Sequence, residues 1–388
     1  MSKTPRTSFF ERFRTRSGHG NQLPQYPASA PTNSPVYTPV DPNEKREMMI
    51  ENLLSQNVID VEKIRNMAWA GIPDRFRAEI WRLFLDYQPV NKNLSETTLT
   101  HKRNDYFDCL ERVYSESQRH LWTNAQKSTI SQIDRDLPRT KIILLRNKKV
   151  QDLFERVLFV WSVRHPASGY VQGMNDLLQP FFFAFLIPHH QIKDPSQLEK
   201  LENIDDISEE ALKEIEADCF WCFSKLLDGL QDLYTKDQPG LYKILDNIQL
   251  VIDKVNPELA QHIAAEEIQY QEFAFRWVNC LLVREFSVSI IFRIWDNYLS
   301  HHNRIATSHV YMCAALMDAM AYKLMPLNHA EFIILMQAID PNGWHPQEIE
   351  DMLAQAYVFE KSMASANSSS ASAGNLRSLS QSNLVVEK

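Results

Sequence analysis

Apolar side chains recur every three or four positions through most of the chain, which is the period of one face of an α-helix. Residues 150–161 place Val, Leu, Phe, Val, Leu and Trp at this spacing, and residues 288–299 repeat it with Val, Ile, Phe, Trp and Leu. Strand-like alternation is scarce, and no internal repeat is evident. The pattern predicts an all-α fold with short connections, and it leaves open whether the helices divide into two lobes.

Both ends of the chain lack this helical repeat. Residues 1–43 hold prolines among Ser, Thr and Asn with few aliphatic side chains, and residues 362–388 are rich in serine. Such segments bury too little apolar surface to offset the entropy lost on folding. We therefore expect one helical domain over residues 44–361, between two disordered tails.

The composition favours a globular protein that holds no nucleotide of its own. The chain has 388 residues, of which 44% are hydrophobic, so it can bury a large core. Its nine glycines form neither a GxGxxG nor a GxxxxGK[ST] motif, so no glycine-rich loop is present to cradle phosphates. The net charge of −8 argues against a nucleic-acid partner, because binding phosphates requires a basic face.

The first sixteen residues differ in charge from the rest of the chain. They carry five basic side chains against one acidic side chain. Basic residues near an anionic membrane contribute about 1 kcal/mol each, so peripheral membrane contact through this arm is one hypothesis. The alternative, which we favour, is a solvated tail.

The cysteines and the apolar runs indicate the cytoplasm. Five cysteines, an odd number, occur in a chain whose start does not resemble a secretion signal. The most apolar run, residues 177–187, is shorter than the ~20 residues that span a bilayer, so it predicts a buried helix. Cys219 and Cys222 have CxxC spacing without further zinc ligands, which predicts buried free thiols and no metal site.

Two charged regions are expected to be structural. The acidic stretch 193–218 predicts a solvated helix face and loop. The aromatic and charged segments 275–277, 284–286 and 295–296 are expected to join helices through buried ion pairs and packing, rather than to form a ligand cage.

Arg139 is a candidate for chemistry because of the proline before it. Pro138 lacks a backbone donor and biases Leu137 towards extended geometry, so a helix leading up to Ile133 or Arg135 should end there and leave Arg139 on a loop. A guanidinium on a loop can present several donors to the phosphate oxygens of a partner. The alternative is an ordinary solvated arginine.

Gln172 is the second candidate, since Gly169 and Gly173 bracket it. Two glycines four residues apart allow a tight backbone path just before the apolar helix that begins near Met174. The amide of Gln172 could orient a water molecule there, or it could simply fill a turn. An arginine that neutralises charge and a glutamine that holds water together meet the two needs of GTP hydrolysis.

Four short motifs occur in a fixed order along the chain. They comprise Gly71, Ile72, Pro73, Arg77 and Trp81; then Ile133, Asp136 and Arg139; then Tyr170, Gln172, Gly173, Met174 and Asn175; and finally Phe275, Arg276, Trp277, Arg284, Glu285, Phe286, Trp295 and Asp296. In this order they resemble the opening, arginine-finger, glutamine-finger and later helical motifs of the TBC-domain GTPase-activating proteins for Rab GTPases. The resemblance covers residues 65–360.

The resemblance implies an all-α TBC domain that activates GTP hydrolysis by a Rab GTPase in its GTP form. It implies that Arg139 stabilises transition-state charge, that Gln172 positions the attacking water, and that Asp136 helps to hold the finger loop. GTP and Mg²⁺ would belong to the partner, and the protein would need no cofactor of its own. The other motif residues would support the finger loops and the fold.

The sequence around the glutamine is similar to that of a Golgi-associated branch of the family, which includes a yeast Ypt-type activator and animal relatives. This likeness implies vesicle trafficking and a cytoplasmic location, with peripheral attachment to Golgi or other endomembranes. Two positions depart from the family pattern: Val171 stands where many members have Cys, and Asp86 where many have Gly. Neither is a finger residue, so activity is expected to survive.

Two other hypotheses are compatible with the sequence. A scaffold could keep the fold and bind Rabs without accelerating hydrolysis, although it would not need both finger residues. A helical interaction protein unrelated to GTPases would explain the periodicity but not the ordered motifs. The sequence identifies neither the Rab nor the oligomeric state, because both depend on surface complementarity.

Overall fold

The structure is a computed structural model that describes residues 41–382, apart from Gln191, Lys193 and Lys236. The predicted basic arm and nearly all of the proline-rich segment lie outside the described residues. The first helix begins at Pro42, two residues before the expected start of the domain at Glu44.

Helices account for nearly all of the regular structure. The α-helices, in chain order, are α1 Pro42–Ser55, α2 Val61–Ala68, α3 Asp74–Phe84, α4 Lys92–Tyr114, α5 Glu116–Arg119, α6 Asn124–Asp136, α7 Lys148–Arg164, α8 Met174–Leu186, α9 Glu209–Asp228, α10 Gln231–Tyr234, α11 Pro239–Val255, α12 Pro257–Ala265, α13 Gln271–Asn279, α14 Val288–Ser300, α15 Ile305–Leu324, α16 His329–Gln337 and α17 Pro346–Ser382. Short 3₁₀ helices occupy Leu144–Arg146, Ile187–His189, Pro195–Lys200 and His302–Arg304. Within the described residues, β pairing is limited to one isolated bridge between Val58 and Asn91.

The predicted all-α fold is confirmed. The two periodic segments, 150–161 and 288–299, lie in α7 and α14 with their apolar faces buried. Helix α8 contains the apolar run, and each of its residues is buried. It packs against α3, α7, α9 and α14. In the part of the chain that the structure describes, no helix is both long and apolar enough to cross a membrane.

Helix α14 joins the earlier and later helices. It contacts α3 and α8 on one side and α15 and α17 on the other. Buried apolar residues form one continuous cluster from Ile50 to Phe359. The helices therefore share a single core, whichever way they are grouped into lobes.

Asp296 in α14 fixes the start of α3 through a buried ion pair. Arg77 donates from Nε to Asp296 Oδ1 at 3.1 Å and from Nη2 to Oδ2 at 3.2 Å. Trp81 Nε1 and the backbone N–H of Ile72 donate to the same carboxylate, each at 2.8 Å. Four donors compensate for burying this charge, which would otherwise be costly. Three members of the opening motif, Ile72, Arg77 and Trp81, thus act together with Asp296 of the final motif to support the fold.

Gly71 and Pro73 shape the turn that leads into α3. Gly71 has φ of 84°, and a Cβ added there would stand 3.1 Å from Arg293 Cδ. Pro73 is the N-cap of α3, with φ of −58°, the angle that a proline ring imposes. Both residues are required by the backbone path that brings Ile72 to Asp296.

The final motif contains the expected ion pair, in which the glutamate is buried and the arginine is partly buried. Its aromatic residues pack as expected, with one exception. Arg276 donates from Nε and Nη2 to the carboxylate of Glu285, both at 2.7 Å. Trp277 and Trp295 are fully buried. Phe275, however, is 40% exposed and does not share in the packing that was expected of it. It lies on the outer face of α13, because its neighbours on the helix supply the buried face.

The expectation that the acidic stretch 193–218 is solvated is wrong at its C-terminal end. Asp218 is buried and accepts from Arg103 Nε at 2.8 Å and from Tyr87 Oη at 2.7 Å. Glu216 is also buried and accepts from Arg156 Nε at 2.8 Å. Arg103 and Arg156 lie on α4 and α7, and Tyr87 lies between α3 and α4, so the charge composition of the stretch alone could not reveal these partners.

Cys219 and Cys222 are free and buried in α9, as expected. Burial raises the pKa of both thiols well above the usual value, so they remain neutral. Their place in the core is that of small apolar side chains.

Helix α17 continues through Ser382, so secondary structure does not break at residue 362, where the C-terminal tail was expected to begin. Among the side chains that the structure describes, the last to pack against the core is Met363. The expected boundary therefore lies where core packing ends and not where the helix ends.

Candidate functional site

Arg139 lies on an exposed loop immediately after α6. A capping box between Thr123 and Gln126 starts this helix, and the helix ends at Asp136, ahead of Pro138. The backbone N–H of Arg139 donates to the carbonyl of Asp136 at 3.0 Å. The side chain of Arg139 is 58% exposed and donates from Nη1 to Asp136 Oδ1 at 3.1 Å. The guanidinium is thus oriented by one carboxylate while most of its surface faces solvent.

The end of α6 is anchored in the core. Ile133, one turn before the loop, is fully buried, and Asp136 is only 4% exposed. A rigid anchor one turn away restricts the orientations that Arg139 can adopt. Asp136 contacts Arg139 directly, and Ile133 anchors the last turn of the helix before the loop.

Gln172 lies on a second exposed loop, between two glycines with positive φ. Gly169 has φ of 65° and Gly173 has φ of 102°, a region that side chains with a Cβ rarely adopt. Gly173 is the N-cap residue of α8, and Gln172 is exposed directly before it. The chain therefore presents the amide of Gln172 at the entrance of a buried helix.

A buried tyrosine connects the two loops. Tyr170 is 8% exposed, and its hydroxyl donates to Asp136 Oδ2 at 3.1 Å and lies 3.3 Å from Asn175 Oδ1. Burial and the charge of Asp136 raise the pKa of Tyr170, so the hydroxyl stays protonated and remains a donor. Asp136 thus contacts both Arg139 and the residue two positions before Gln172. The arginine and glutamine motifs, which are separated in sequence, come together at this hydrogen bond.

Residues in the first turns of α8 and after α13 also support the glutamine loop, a role that the sequence did not predict for them. Asp176, in the first turn of α8, is 1% exposed and accepts from Arg284 Nε at 2.8 Å. Gln179 Nε2 donates to Asp176 Oδ1 at 2.9 Å, and Cys280 Sγ donates to Oδ2 at 3.4 Å. Arg284 was expected only to support the later helices. A carboxylate in an otherwise apolar helix was the available signal, since such a charge needs a partner.

Arg284 compensates the buried charge of Asp176 next to the glutamine loop. Burial raises the pKa of Asp176, whereas the charge and hydrogen bond of Arg284 lower it. Burial by itself would lower the pKa of Arg284, but the charge of Asp176 and its hydrogen bond raise it. The pair keeps the first turn of α8 attached to the segment that follows α13.

That segment has an unusual backbone. Leu281 and Leu282 have φ of 44° and 63°, and both side chains are fully buried. Two successive left-handed leucines are strained and persist only where packing holds them. The turn places Cys280 against Gly173, where an added Cβ would stand 3.2 Å from Cys280 Sγ. Close packing as well as φ therefore requires glycine next to Gln172.

The arrangement presents polar groups outward. Arg139 offers guanidinium donors and Gln172 offers an amide that can both donate and accept. Across the residues that the structure describes, no group of three or more His, Cys, Asp or Glu is placed to hold a metal ion.

The sequence profile of the family described as Rab-GTPase-TBC domain matches residues 74–325, which include both loops. The chain belongs to this family. The TBC domain occupies most of the helical region, and the fold resemblance inferred from the four motifs is confirmed.

Individual relatives agree with this assignment. Human TBC1 domain family member 22B is 37% identical over 337 residues, which cover 84% of this chain and 64% of that protein. GTPase-activating protein gyp1 of Schizosaccharomyces pombe is 35% identical over 316 residues, covering 79% of this chain and 59% of that protein. The crystal structure of the Ypt/Rab-GAP domain of Gyp1p matches with a TM-score of 0.76 at 34% identity, covering 83% of this chain and 99% of that one.

The chain thus spans less than two thirds of the length of these two relatives. It spans almost the whole of the solved domain. The predicted likeness to a yeast Ypt-type protein and its animal relatives is confirmed at the level of the TBC domain.

Proposed function

We propose that this TBC domain accelerates the hydrolysis of GTP bound to a Rab-family GTPase, with Arg139 and Gln172 acting together. The observation that carries the proposal is the hydrogen bond from Tyr170 to Asp136 at 3.1 Å, because it joins the loops of both residues into one exposed site. The names of the relatives, which include a GTPase-activating protein and a Ypt/Rab-GAP domain, support the same activity.

The two side chains have different tasks in this proposal. Negative charge spreads over the γ-phosphate oxygens in the transition state, and the guanidinium of Arg139 would donate to them. The amide of Gln172 would accept from the attacking water and hold it in line with the phosphate. GTP and Mg²⁺ would come with the partner. Asp136 would orient Arg139 without touching the nucleotide.

The contact of Arg139 with Asp136 leaves guanidinium donors available for a phosphate. The contact with Asp136 Oδ1 uses one terminal nitrogen, Nη1, and the side chain is 58% exposed. The remaining guanidinium donors are able to meet a phosphate without breaking that contact. The existing ion pair therefore orients the finger and does not block it.

The test is phosphate release from a panel of GTP-loaded Rabs with catalytic amounts of the protein. The wild type should accelerate release from one or a few of them. Arg139→Ala should reduce this rate by about 10³- to 10⁵-fold, the usual contribution of an arginine supplied in trans. Gln172→Ala should also remove most of the acceleration, because the water loses its orientation.

Matched controls distinguish the fingers from general loss of charge or amide. Arg135→Ala removes an exposed arginine one turn earlier in α6, where its Nε donates to the carbonyl of Ser131. Gln347→Ala removes an exposed amide in α17. Both should keep wild-type rates. Rab binding without any acceleration by the wild type would instead favour the scaffold and would exclude the dual-finger activator.

The cytoplasmic location at Golgi or other endomembranes, and membrane contact through the basic arm, stay predictions. Imaging of a tagged chain beside a Golgi marker tests the first. Loss of liposome binding on deleting residues 1–16 tests the second.

A further inference from the structure

An exposed aromatic residue lies beside the glutamine loop. Phe275 in α13 is 40% exposed, and Asn279 follows it by one helical turn. Residues four apart lie on the same helix face, and helical side chains lean towards the preceding turn, so Asn279 leans towards Phe275. Asn279 Cβ lies only 3.6 Å from the place where a Cβ on Gly173 would stand. Phe275 is therefore within about 15 Å of Gln172.

Helices α11 and α13 pack together in antiparallel directions. At one end, Gln238 before α11 donates from Nε2 to Asn279 Oδ1 at 3.2 Å. At the other end, Asp253 of α11 lines the same cavity as Tyr270, which precedes α13. Tyr242 lies four residues after Gln238, and Phe275 lies four residues before Asn279. The antiparallel packing therefore places Tyr242 opposite Phe275.

Tyr242 is also exposed, with 52% of its surface accessible. It lies in the first turn of α11, four residues after the N-cap residue Gln238. Single exposed apolar side chains are common and need no explanation. Tyr242 and Phe275, however, occupy matching positions on adjacent helices near the glutamine loop. Together they form an apolar surface whose exposure to water is unfavourable. We call Tyr242 and Phe275 the aromatic pair.

The occupant of this surface follows from its position. A specific protein interface covers about 800 Å² on each partner, which corresponds to a disc with a radius of about 16 Å. A GTPase that brings its γ-phosphate to Arg139 and Gln172 therefore has an interface wide enough to reach Phe275. Aromatic side chains at such positions supply much of the binding energy of an interface, because they bury a large area at a low cost in conformational entropy.

We infer that the aromatic pair is a docking anchor for the GTPase, contacting an apolar surface next to the nucleotide of the GTP-bound partner. This inference rests on the proposed function. It assigns ground-state binding to Tyr242 and Phe275 and leaves the reaction to the finger residues. Interactions that bind substrate and transition state equally change KM and leave kcat unaltered.

The experiment is steady-state phosphate release over a range of concentrations of the GTP-loaded Rab that responds best. The double variant Tyr242→Ala/Phe275→Ala should raise KM at least tenfold, with kcat within twofold of wild type. Tyr242→Phe and Phe275→Tyr should keep wild-type KM, since they preserve the aromatic surface. The melting temperature of each variant, measured by circular dichroism, should be close to that of wild type because both residues are exposed.

Tyr322→Ala is the matched control. Tyr322 is 73% exposed and lies one turn after Asp318, which accepts from Asn256 Nδ2 at 2.7 Å. Asn256 follows the far end of α11, about 25 Å from Gln238 along the helix. Loss of this aromatic surface should leave both kinetic constants at wild-type values.

The outcomes separate the inference from the function on which it rests. If wild type accelerates hydrolysis, Arg139→Ala abolishes it, and the double variant keeps wild-type KM, the inference fails while the proposed function stands. If wild type accelerates no Rab, the proposed function fails and the inference fails with it. An increase in KM that Tyr322→Ala reproduces would also overturn the inference, since it would not depend on position.

Discussion

Tyr170→Phe tests whether the two finger loops act as one site. The change removes the hydroxyl that donates to Asp136 at 3.1 Å and lies 3.3 Å from Asn175, and it keeps the aromatic ring. Asp136 is buried and would keep its ion pair with Arg139. The substitution thus uncouples the loops with little loss of packing.

The expected size follows from the type of bond that is lost. One proton serves mainly one acceptor, and a hydrogen bond to a charged carboxylate contributes about 1.5–3 kcal/mol. If this energy holds the loops in the reactive arrangement, its loss corresponds to about a ten- to hundredfold reduction in kcat. The same loss should lower the melting temperature by a few degrees.

The assay is phosphate release from a responsive GTP-loaded Rab, measured well below the melting temperatures of all variants. Tyr298→Phe is the control, because its buried hydroxyl lies 2.9 Å from His309 Nδ1 in the contact between α14 and α15. This variant should lose stability but keep kcat. If Tyr170→Phe is destabilised to a similar degree and still reacts at the wild-type rate, the reasoning that the hydroxyl couples the fingers is refuted.

Two further changes test the surroundings of the site and the core. Gly173→Ala should lower the free energy of unfolding by about 1–3 kcal/mol and also reduce kcat, because φ of 102° and the 3.2 Å approach to Cys280 Sγ both oppose a Cβ. Gly169→Ala should be less destabilising, because Gly169 has φ of 65° and no neighbouring atom within 4 Å of an added Cβ. An equal loss of stability for the two variants in denaturant unfolding would contradict this account. His309 is fully buried, and desolvation lowers its pKa to about 3, so its contribution to stability is present above about pH 6.5 and is lost as pH falls towards 3. Between pH 7 and pH 5 the wild type should therefore lose about 2 kcal/mol more stability than His309→Gln in urea unfolding, and parallel pH profiles would rule this out.

The parts of the site that obey local chain rules could be predicted from the sequence. Helix α6 ends just before Pro138, as predicted, but Leu137 keeps helical angles of φ −55° and ψ −41°, so the extended geometry expected there is wrong. Gly173 marks the start of α8 because few other residues adopt its backbone angle. Asp86 follows the same logic: its φ of 52° explains why many family members have glycine there. Local stereochemistry leaves a trace in a single sequence.

Contacts between distant helices leave no such trace. Asp176 could be recognised as a charge in an apolar helix, but nothing near it names Arg284 as its partner. Asp218 was grouped with its acidic neighbours, although Arg103 and Tyr87 remove it from solvent. Pattern reasoning therefore placed Arg139 and Gln172 on exposed loops and missed the tertiary contacts that support those loops.

The ion pair between Asp176 and Arg284 spans 108 residues of chain, which has a consequence for the order of events during synthesis. Both finger residues are made before Arg284, Cys280 and the leucine turn that support the glutamine loop. At about 5–20 residues per second, the ribosome needs about 5–20 s to add that length of chain. A nascent TBC domain therefore carries Arg139 and Gln172 for several seconds before the glutamine loop has its full support, and under the proposed function its competence to act on a GTPase would be gained late, with α13 and the turn that follows it.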